Sequence, residues 1–121
     1  MEKTLVFGAS LKPQRYSNMA VNRLRSHNLK TEAFGIKGGN IRDVQIKTNL
    51  DDFQNIHTVT LYMNPKRQAG YYRQILELHP KRVIFNPGTE NPEFYKILEN
   101  RGIAVVIACT LVLLSTGQYW E

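Results

Sequence analysis

Short apolar runs that end at glycine, asparagine or proline alternate along this chain with amphipathic segments of helical length. The runs occupy residues 4–7, 31–34, 44–47, 58–62, 82–85 and 103–107. Continuous apolar runs of this length are typical of strands buried on both faces, and residues 44–47 predict a shorter edge strand. Strands that alternate with helices predict a parallel sheet with helices on both faces.

Local signals mark where the helices begin. Ser17 is predicted to cap a helix whose apolar face includes Val21 and Leu24. Pro65 and Pro92 each follow an asparagine, and proline suits the first position of a helix. Helices are therefore predicted to follow the strands at residues 4–7, 58–62 and 82–85.

The fold class predicted from this pattern is α/β, a Rossmann-like three-layer fold with a mostly parallel sheet. The chain of 121 residues is the size of one domain, so residues 1–121 are expected to form a single unit. Right-handed crossovers favour the strand order 3-2-1-4-5-6. In that order the connections reverse between strands 1 and 4, and ligands bind at this crevice, outside the carboxyl ends of the strands.

Charge and cysteine content limit the partners. The formal net charge of +6 favours an anionic partner, which nucleic acid, acidic lipid and phosphorylated cofactors all satisfy. No block of five or more Lys and Arg occurs, so a nucleic-acid-binding tail is not expected.

One cysteine excludes an intrachain disulfide, and the apolar run at residues 103–114 is too short to span a bilayer. The start lacks an apolar run long enough for a signal peptide, so the expected location is the cytoplasm, with no membrane partner.

The loop after the first run is the first candidate for phosphate binding. Gly8 would let the backbone approach a phosphate, and Ser17 would begin a helix with free N–H groups. The guanidinium of Arg15 would form two parallel hydrogen bonds to phosphate oxygens. The dinucleotide fingerprint is absent, because its second and third glycines would fall at Ser10 and Pro13. An alternative fits these residues equally well. In it, Gly8 only ends a strand and Ser17 only caps a helix, and neither binds a phosphate.

The end of the second run distinguishes between nucleotides. NAD-binding proteins place an acidic residue there for the ribose hydroxyls, whereas this run ends in Phe34 and Gly35, with Lys37 beyond them. Lys37 favours a ribose phosphate, which coenzyme A carries at the 3′ position and NADP at the 2′ position. A solvated lysine in a glycine-rich turn is the alternative.

No catalytic or metal-ligating residue is predicted. His27, His57 and His79 are scattered and have no metal-ligand spacing. No nucleophile-elbow motif is present. Cys109 follows the last strand, where a reactive thiol is conceivable, although a lone cysteine in an apolar run is more often a packing residue.

Five motifs in order give the chain a family resemblance that covers nearly its whole length. They are Gly8-Ala9-Ser10 with Arg15-Tyr16-Ser17, Lys37-Gly38-Gly39, the segment 58–65 ending Tyr62-Met63-Asn64-Pro65, the segment 82–91 containing Asn86-Pro87-Gly88, and the segment 108–112. Together they resemble the small stand-alone CoA-binding domain proteins. That domain is similar to the CoA-binding part of the succinyl-CoA synthetase α chain.

The resemblance implies a Rossmann-like fold that binds coenzyme A or an acyl-CoA. It places Gly8, Ala9 and Ser10, with Arg15, Tyr16 and Ser17, around the diphosphate. It places Lys37 by the adenosine end, and it implies that the adenine side is lined by Tyr62, Asn64 and Pro65 and the pantetheine arm by Asn86, Pro87 and Gly88. The synthetase's phosphohistidine machinery and grasp domain have no counterpart here.

The predicted function is non-enzymatic binding of coenzyme A or acyl-CoA, as a sensor or as a subunit for an unidentified protein partner. One alternative is an NADP-binding oxidoreductase module, for which no hydride-transfer site is recognisable. The other is a nucleic-acid-binding module, which rests on net charge alone.

Overall fold

A single seven-stranded sheet forms the centre of the molecule. The computed structural model describes residues 2–120. The strands are β1 (Lys3–Phe7), β2 (Thr31–Phe34), β3 (Gly39–Ile41), β4 (Val44–Lys47), β5 (Ile56–Leu61), β6 (Arg82–Phe85) and β7 (Ala104–Ile107). They lie in the order β3-β4-β2-β1-β5-β6-β7. All neighbouring pairs are parallel except β3 with β4.

Five α-helices cover the two faces of the sheet. They are α1 (Tyr16–Ser26), α2 (Pro65–Gln68), α3 (Tyr72–Glu77), α4 (Pro92–Asn100) and α5 (Thr110–Ser115). A 3₁₀ turn at Leu50–Asp52 precedes β5, and a second at Ala69–Tyr71 joins α2 to α3. Within residues 2–120, no helix has the length and apolar character needed to cross a bilayer.

The predicted fold class is confirmed, and the strand order differs by one addition. The six predicted strands keep the order 3-2-1-4-5-6, and β3 extends the sheet beyond β4 as an antiparallel edge strand. The glycine-rich turn considered for Lys37 does not extend through Gly39, because Gly39 and Asn40 belong to β3. The hairpin turn lies at Arg42, whose φ is 54°. A three-residue strand made mostly of glycine and asparagine has no apolar periodicity, so its pairing is decided by the neighbouring backbone of β4.

Alternation along the strands creates two cores, one on each face of the sheet. The face of the sheet that α3 and α4 cover is rich in aromatic rings. The ring centroids of Phe7 and Phe34 are 4.7 Å apart, and those of Phe85 and Phe94 are 5.9 Å apart. The opposite side, covered by α1 and α5, is aliphatic and includes Val21. The last residues of β1, β2, β5 and β6 are buried in the aromatic core, so the loops that follow them start from well-packed positions; these residues are Phe7, Phe34, Leu61 and Phe85.

The start signals of α2 and α4 are confirmed, but that of α1 is wrong. The Asn64 side chain accepts a hydrogen bond from Arg67 N, and that of Asn91 from Phe94 N. Helix α1 begins at Tyr16 with Arg15 at the cap position and no side-chain cap, so Ser17 lies within the first turn and is buried. The extended backbone of Arg15 makes it the last residue before the helix, and this shifts Ser17 inside.

The last described residues fold back onto the sheet on the α5 side. Tyr119 Oη lies 2.7 Å from Thr4 Oγ1, and the Arg82 guanidinium lies over the rings of Tyr119 and Trp120, 4.6 and 4.9 Å from their centroids. Arg82 is the register partner of Ala104, the first residue of β7. Arg82 begins β6, and the Trp120 ring also packs against His57 of β5 with the ring centroids 5.4 Å apart, so Trp120 lies over the amino ends of β5 and β6.

Candidate functional site

A cleft of about 520 Å³ opens at the carboxyl ends of the central strands. Its walls come from the loops after β1, β2, β5 and β6. This is the point where connections leave β1 toward one edge of the sheet and β5 toward the other. The lining residues are Gly8, Ala9, Ser10, Leu11, Lys12, Arg15, Tyr16, Ser17, Phe34, Gly35, Ile36, Lys37, Tyr62, Met63, Asn64, Arg67, Pro87, Gly88 and Thr89.

The loop between β1 and α1 is held at both ends by hydrogen bonds. Gly8 N and Ala9 N both donate to Phe34 O, at 2.9 and 2.8 Å. Farther along, the buried Asn18 side chain donates from Nδ2 to Ser10 O at 2.9 Å. The N–H groups of Gly8 and Ala9 are therefore occupied within the protein, and the loop is positioned before any ligand arrives.

Two glycines let the three loops approach one another. Gly8 has a φ of 102°, and a Cβ there would lie 3.1 Å from Tyr62 O. A Cβ on Gly35 would lie 2.5 Å from Ala9 O, closer than real contacts allow. Any larger residue at Gly35 would push the phosphate-loop candidate away from the end of β2.

The amino end of α1 presents unpaired backbone donors to the cleft. In the part of the chain that the structure describes, the N–H groups of Tyr16 and Ser17 donate to no other group. The first turn of α1 holds no acidic residue, so its positive end is not neutralised locally. Arg15 stands directly before these donors, and together they form a site suited to an anion.

Four cationic side chains line the same cleft, namely Lys12, Arg15, Lys37 and Arg67. None of the four forms a salt bridge within residues 2–120, and the lining includes no Asp or Glu. Glu32, the acidic residue of β2, points elsewhere and binds Lys3 at 2.6 Å and Lys47 at 3.3 Å. The cleft therefore carries positive charge, without a neighbouring acidic residue in its lining, on the walls formed after β1, β2 and β5.

Tyr62 forms part of the cleft wall and remains neutral. Burial raises the pKa of the Tyr62 phenol far above its ordinary value. The phenol oxygen is buried and has no hydrogen-bond partner among the described residues. Tyr62 consequently adds no negative charge to the cleft, and its ring supplies apolar surface.

Asn86 does not line the cleft, although it follows β6 directly. Its side chain is 2% exposed and is used inside the protein. Nδ2 donates to Thr60 Oγ1 at 2.7 Å and to Leu61 O at 2.8 Å, while Oδ1 accepts from Thr110 N at 2.8 Å. Asn86 thus joins the ends of β5 and β6 to the start of α5.

The structure brings most of the predicted binding residues together around one cleft. The exceptions are Asn86 and Pro65, which are absent from its lining. Sequence reasoning missed Lys12 and Arg67 as cleft residues, and it missed Gly35 as a point of close approach. The position of Arg67 could have been inferred from the sequence. Arg67 stands in the first turn of the helix that begins at Pro65, and this helix is predicted to follow a strand that borders the crevice.

None of the residues considered for chemistry lines the cleft. His27, His57, His79 and the half-buried Cys109 all lie outside its lining. Among residues 2–120, no three His, Cys, Asp or Glu side chains are grouped closely enough to hold a metal ion. The cleft is therefore equipped with cations and backbone donors.

Comparison with known families adds an independent observation. A family model described as "CoA binding domain" matches residues 2–115. The chain belongs to this CoA-binding domain family. No curated protein matches the chain significantly.

Solved structures share the fold over nearly the whole chain. A crystal structure of an uncharacterized protein is 47% identical, covers 98% of both chains and has a TM-score of 0.93. A hypothetical protein from Pyrococcus horikoshii OT3 is 26% identical, with 95% of this chain and 82% of that chain covered and a TM-score of 0.84. A Thermus thermophilus protein, cell-free ID.343, is 22% identical, with 97% and 90% covered and a TM-score of 0.86, which shows the fold alone.

Proposed function

We propose that the cleft binds coenzyme A or an acyl-CoA, and that the protein acts as a binding protein, a sensor or a partner subunit, without catalysing a reaction. The observation that carries this proposal is the set of four unpaired cations around a preformed cleft in a member of the CoA-binding domain family. Coenzyme A is strongly anionic, with a diphosphate and a 3′-phosphate, so it complements such a cleft.

The parts of the cleft suit different parts of this ligand. Arg15 and the free N–H groups at the start of α1 suit the diphosphate. Lys37, beyond the end of β2, suits the ribose phosphate. The wall that contains Tyr62 and Asn64 suits the adenine, and the wall that contains Pro87 and Gly88 suits the uncharged pantetheine arm.

We expect coenzyme A to raise the melting temperature of the protein and NAD to leave it unchanged. A ligand that binds only the folded state, at about 100 times its dissociation constant, adds roughly 2.7 kcal/mol to the free energy of unfolding. For a domain of this size that corresponds to about 10 °C. NAD has no ribose phosphate for Lys37 and finds no acidic residue at the end of β2. Differential scanning fluorimetry with coenzyme A, NADP and NAD measures all three shifts.

The same measurement separates coenzyme A from its nearest competitor. A shift with NADP that exceeds the shift with coenzyme A would favour the NADP-binding alternative. If NAD raised the melting temperature by the amount expected for coenzyme A, and coenzyme A itself left it unchanged, the proposal would be refuted.

We expect no hydrolysis of acyl-CoA thioesters. Thioester cleavage needs a nucleophile beside a general base, and no His, Cys, Asp or Glu lines the described cleft. Incubation with acetyl-CoA and a thiol reagent should show free thiol only at the rate of the buffer control. Thiol release that disappears in the Cys109→Ala variant would contradict this and would make Cys109 catalytic.

A further inference from the structure

Gln68, the last residue of α2, lies behind the cleft and takes no part in its lining. Its side chain is buried, with 0% exposed. Nε2 donates to Met63 O and to Thr89 O, both at 2.8 Å. Met63 belongs to the cleft wall after β5, and Thr89 belongs to the wall after β6. One amide group therefore joins these two walls from inside the protein.

The partners of the Gln68 amide fix its orientation. Both groups that Nε2 reaches are carbonyl oxygens, which only accept, so the reverse orientation would set an oxygen against two oxygens. On the other side, Oε1 accepts from Asn91 Nδ2 at 2.9 Å. The same Asn91 Nδ2 donates to Tyr72 Oη at 2.7 Å. Both N–H groups of the Gln68 amide are thus committed to the two walls.

The wall after β6 depends on this contact. Thr89 N and Thr89 Oγ1 donate to Asn86 O, at 3.0 and 2.8 Å, and Gly88 N donates to Glu90 Oε1 at 2.8 Å. All of these partners lie in the same loop. Among the described residues outside 86–90, only Gln68 forms a hydrogen bond with residues 87–90. This bond is therefore what ties the loop to the rest of the cleft.

The wall after β5 has its own attachments to the sheet. Tyr62 N donates to Phe7 O at 2.9 Å, directly beyond the paired residues of β1 and β5. The Met63 side chain is buried in the aromatic core. Removal of the Gln68 amide is therefore expected to loosen the wall after β6 and to leave the wall after β5 in place.

We propose that Gln68 is a positioning residue for coenzyme A, which holds the wall after β6 where the pantetheine arm binds. This inference rests on the proposed function, in which the arm lies against Pro87 and Gly88. The buried side chain acts through the backbone of the loop and does not contact the ligand. A wall that is already in place spares the ligand the cost of ordering it, and this raises affinity. The gain is confined to the arm, because the nucleotide end binds to other walls of the cleft.

Two ligands that differ only in the arm test this role. Gln68→Met keeps the length of the side chain and removes both donors. We expect it to weaken coenzyme A binding by about tenfold, since ordering a single side chain on binding costs up to about tenfold in affinity. Binding of adenosine 3′-phosphate 5′-diphosphate, which is coenzyme A without its pantetheine, should stay unchanged. Isothermal titration calorimetry measures both ligands on both proteins.

Tyr119→Phe is the matched control. It removes the buried 2.7 Å hydrogen bond between Tyr119 Oη and Thr4 Oγ1, which lies toward the amino end of β1, away from the cleft. Tyr119→Phe should lower the melting temperature and leave both affinities unchanged. Asn91→Ser is a milder variant that decides the question if Gln68→Met does not fold. It keeps a side-chain oxygen to cap α4 and removes the donor to Gln68 Oε1, so it should show the same pattern with a smaller loss.

The remaining outcomes separate this inference from the proposed function. Equal weakening of the two ligands would indicate general loosening of the cleft and would overturn the positioning role. Wild-type affinity for coenzyme A in a folded variant would overturn it as well. A wild type that binds the two ligands equally tightly would show that the arm gains nothing from the wall, while coenzyme A binding itself would stand. A wild type that binds neither ligand would refute the proposed function, and the role of Gln68 with it.

Discussion

Asn86→Ala is expected to lower the free energy of unfolding by about 3–5 kcal/mol, which should reduce the melting temperature by more than about 10 °C. The substitution removes the acceptor of Thr110 N and a donor to Leu61 O, and both groups are buried. A buried donor or acceptor without a partner costs about 1–3 kcal/mol, and the lost amide also leaves a cavity in a 2% exposed site. Chemical denaturation monitored by circular dichroism measures the loss.

Asn40→Ala provides the control for this measurement. Asn40 is exposed on the edge strand β3, and its side chain makes no hydrogen bond in the described structure. Its replacement should change the free energy of unfolding by less than about 0.5 kcal/mol. Similar losses in the two variants would contradict the structural role assigned to Asn86.

Arg15→Ala is expected to weaken coenzyme A binding about ten- to a hundredfold, more than Lys37→Ala. Arg15 stands at the cap position of α1, beside the free N–H groups where the diphosphate is proposed to bind. A planar guanidinium forms two parallel bonds to phosphate oxygens, whereas a lysine is a point charge on a flexible stem. A hydrogen bond to a charged group contributes about 1.5–3 kcal/mol, which gives this range of affinity. Isothermal titration calorimetry measures both variants.

Dephospho-coenzyme A separates the roles of the two cations. This ligand lacks the 3′-phosphate, so it should bind equally well to the wild type and to Lys37→Ala. It should still be weakened by Arg15→Ala, since it keeps the diphosphate. Wild-type affinity in Arg15→Ala, or equal losses of both ligands in Lys37→Ala, would refute the proposed placement of the nucleotide.

The position of the cleft could be predicted from the sequence because it follows from strand order. Once β1 and β5 are recognised as neighbours with connections leaving in opposite directions, the loops after them must form a crevice. The residues that come together there, such as Arg15, Lys37 and Asn64, each follow a strand that the apolar runs identify. The binding roles of these residues remain predictions.

The orientation of individual side chains could not be predicted in the same way. Asn86 and Pro87 are adjacent in the sequence, yet Pro87 lines the cleft while the Asn86 amide is enclosed between Thr60, Leu61 and Thr110. Those partners are 24 to 26 residues away along the chain. Their positions are set only when β5, β6 and α5 pack together.

The sequence by itself determined the α/β class, the six main strands in their order, and the starts of α2 and α4. These features depend on local periodicity, on proline and asparagine at helix starts, and on the handedness of crossovers, all of which are present in the chain as written. Only the tertiary structure decided the pairing of β3, the burial of Asn86 and Ser17, and the close approach of Gly35 to Ala9. Those depend on which distant backbone or side chain comes within a few ångströms, and such contacts exist only after the sheet has assembled and the two cores have packed against it.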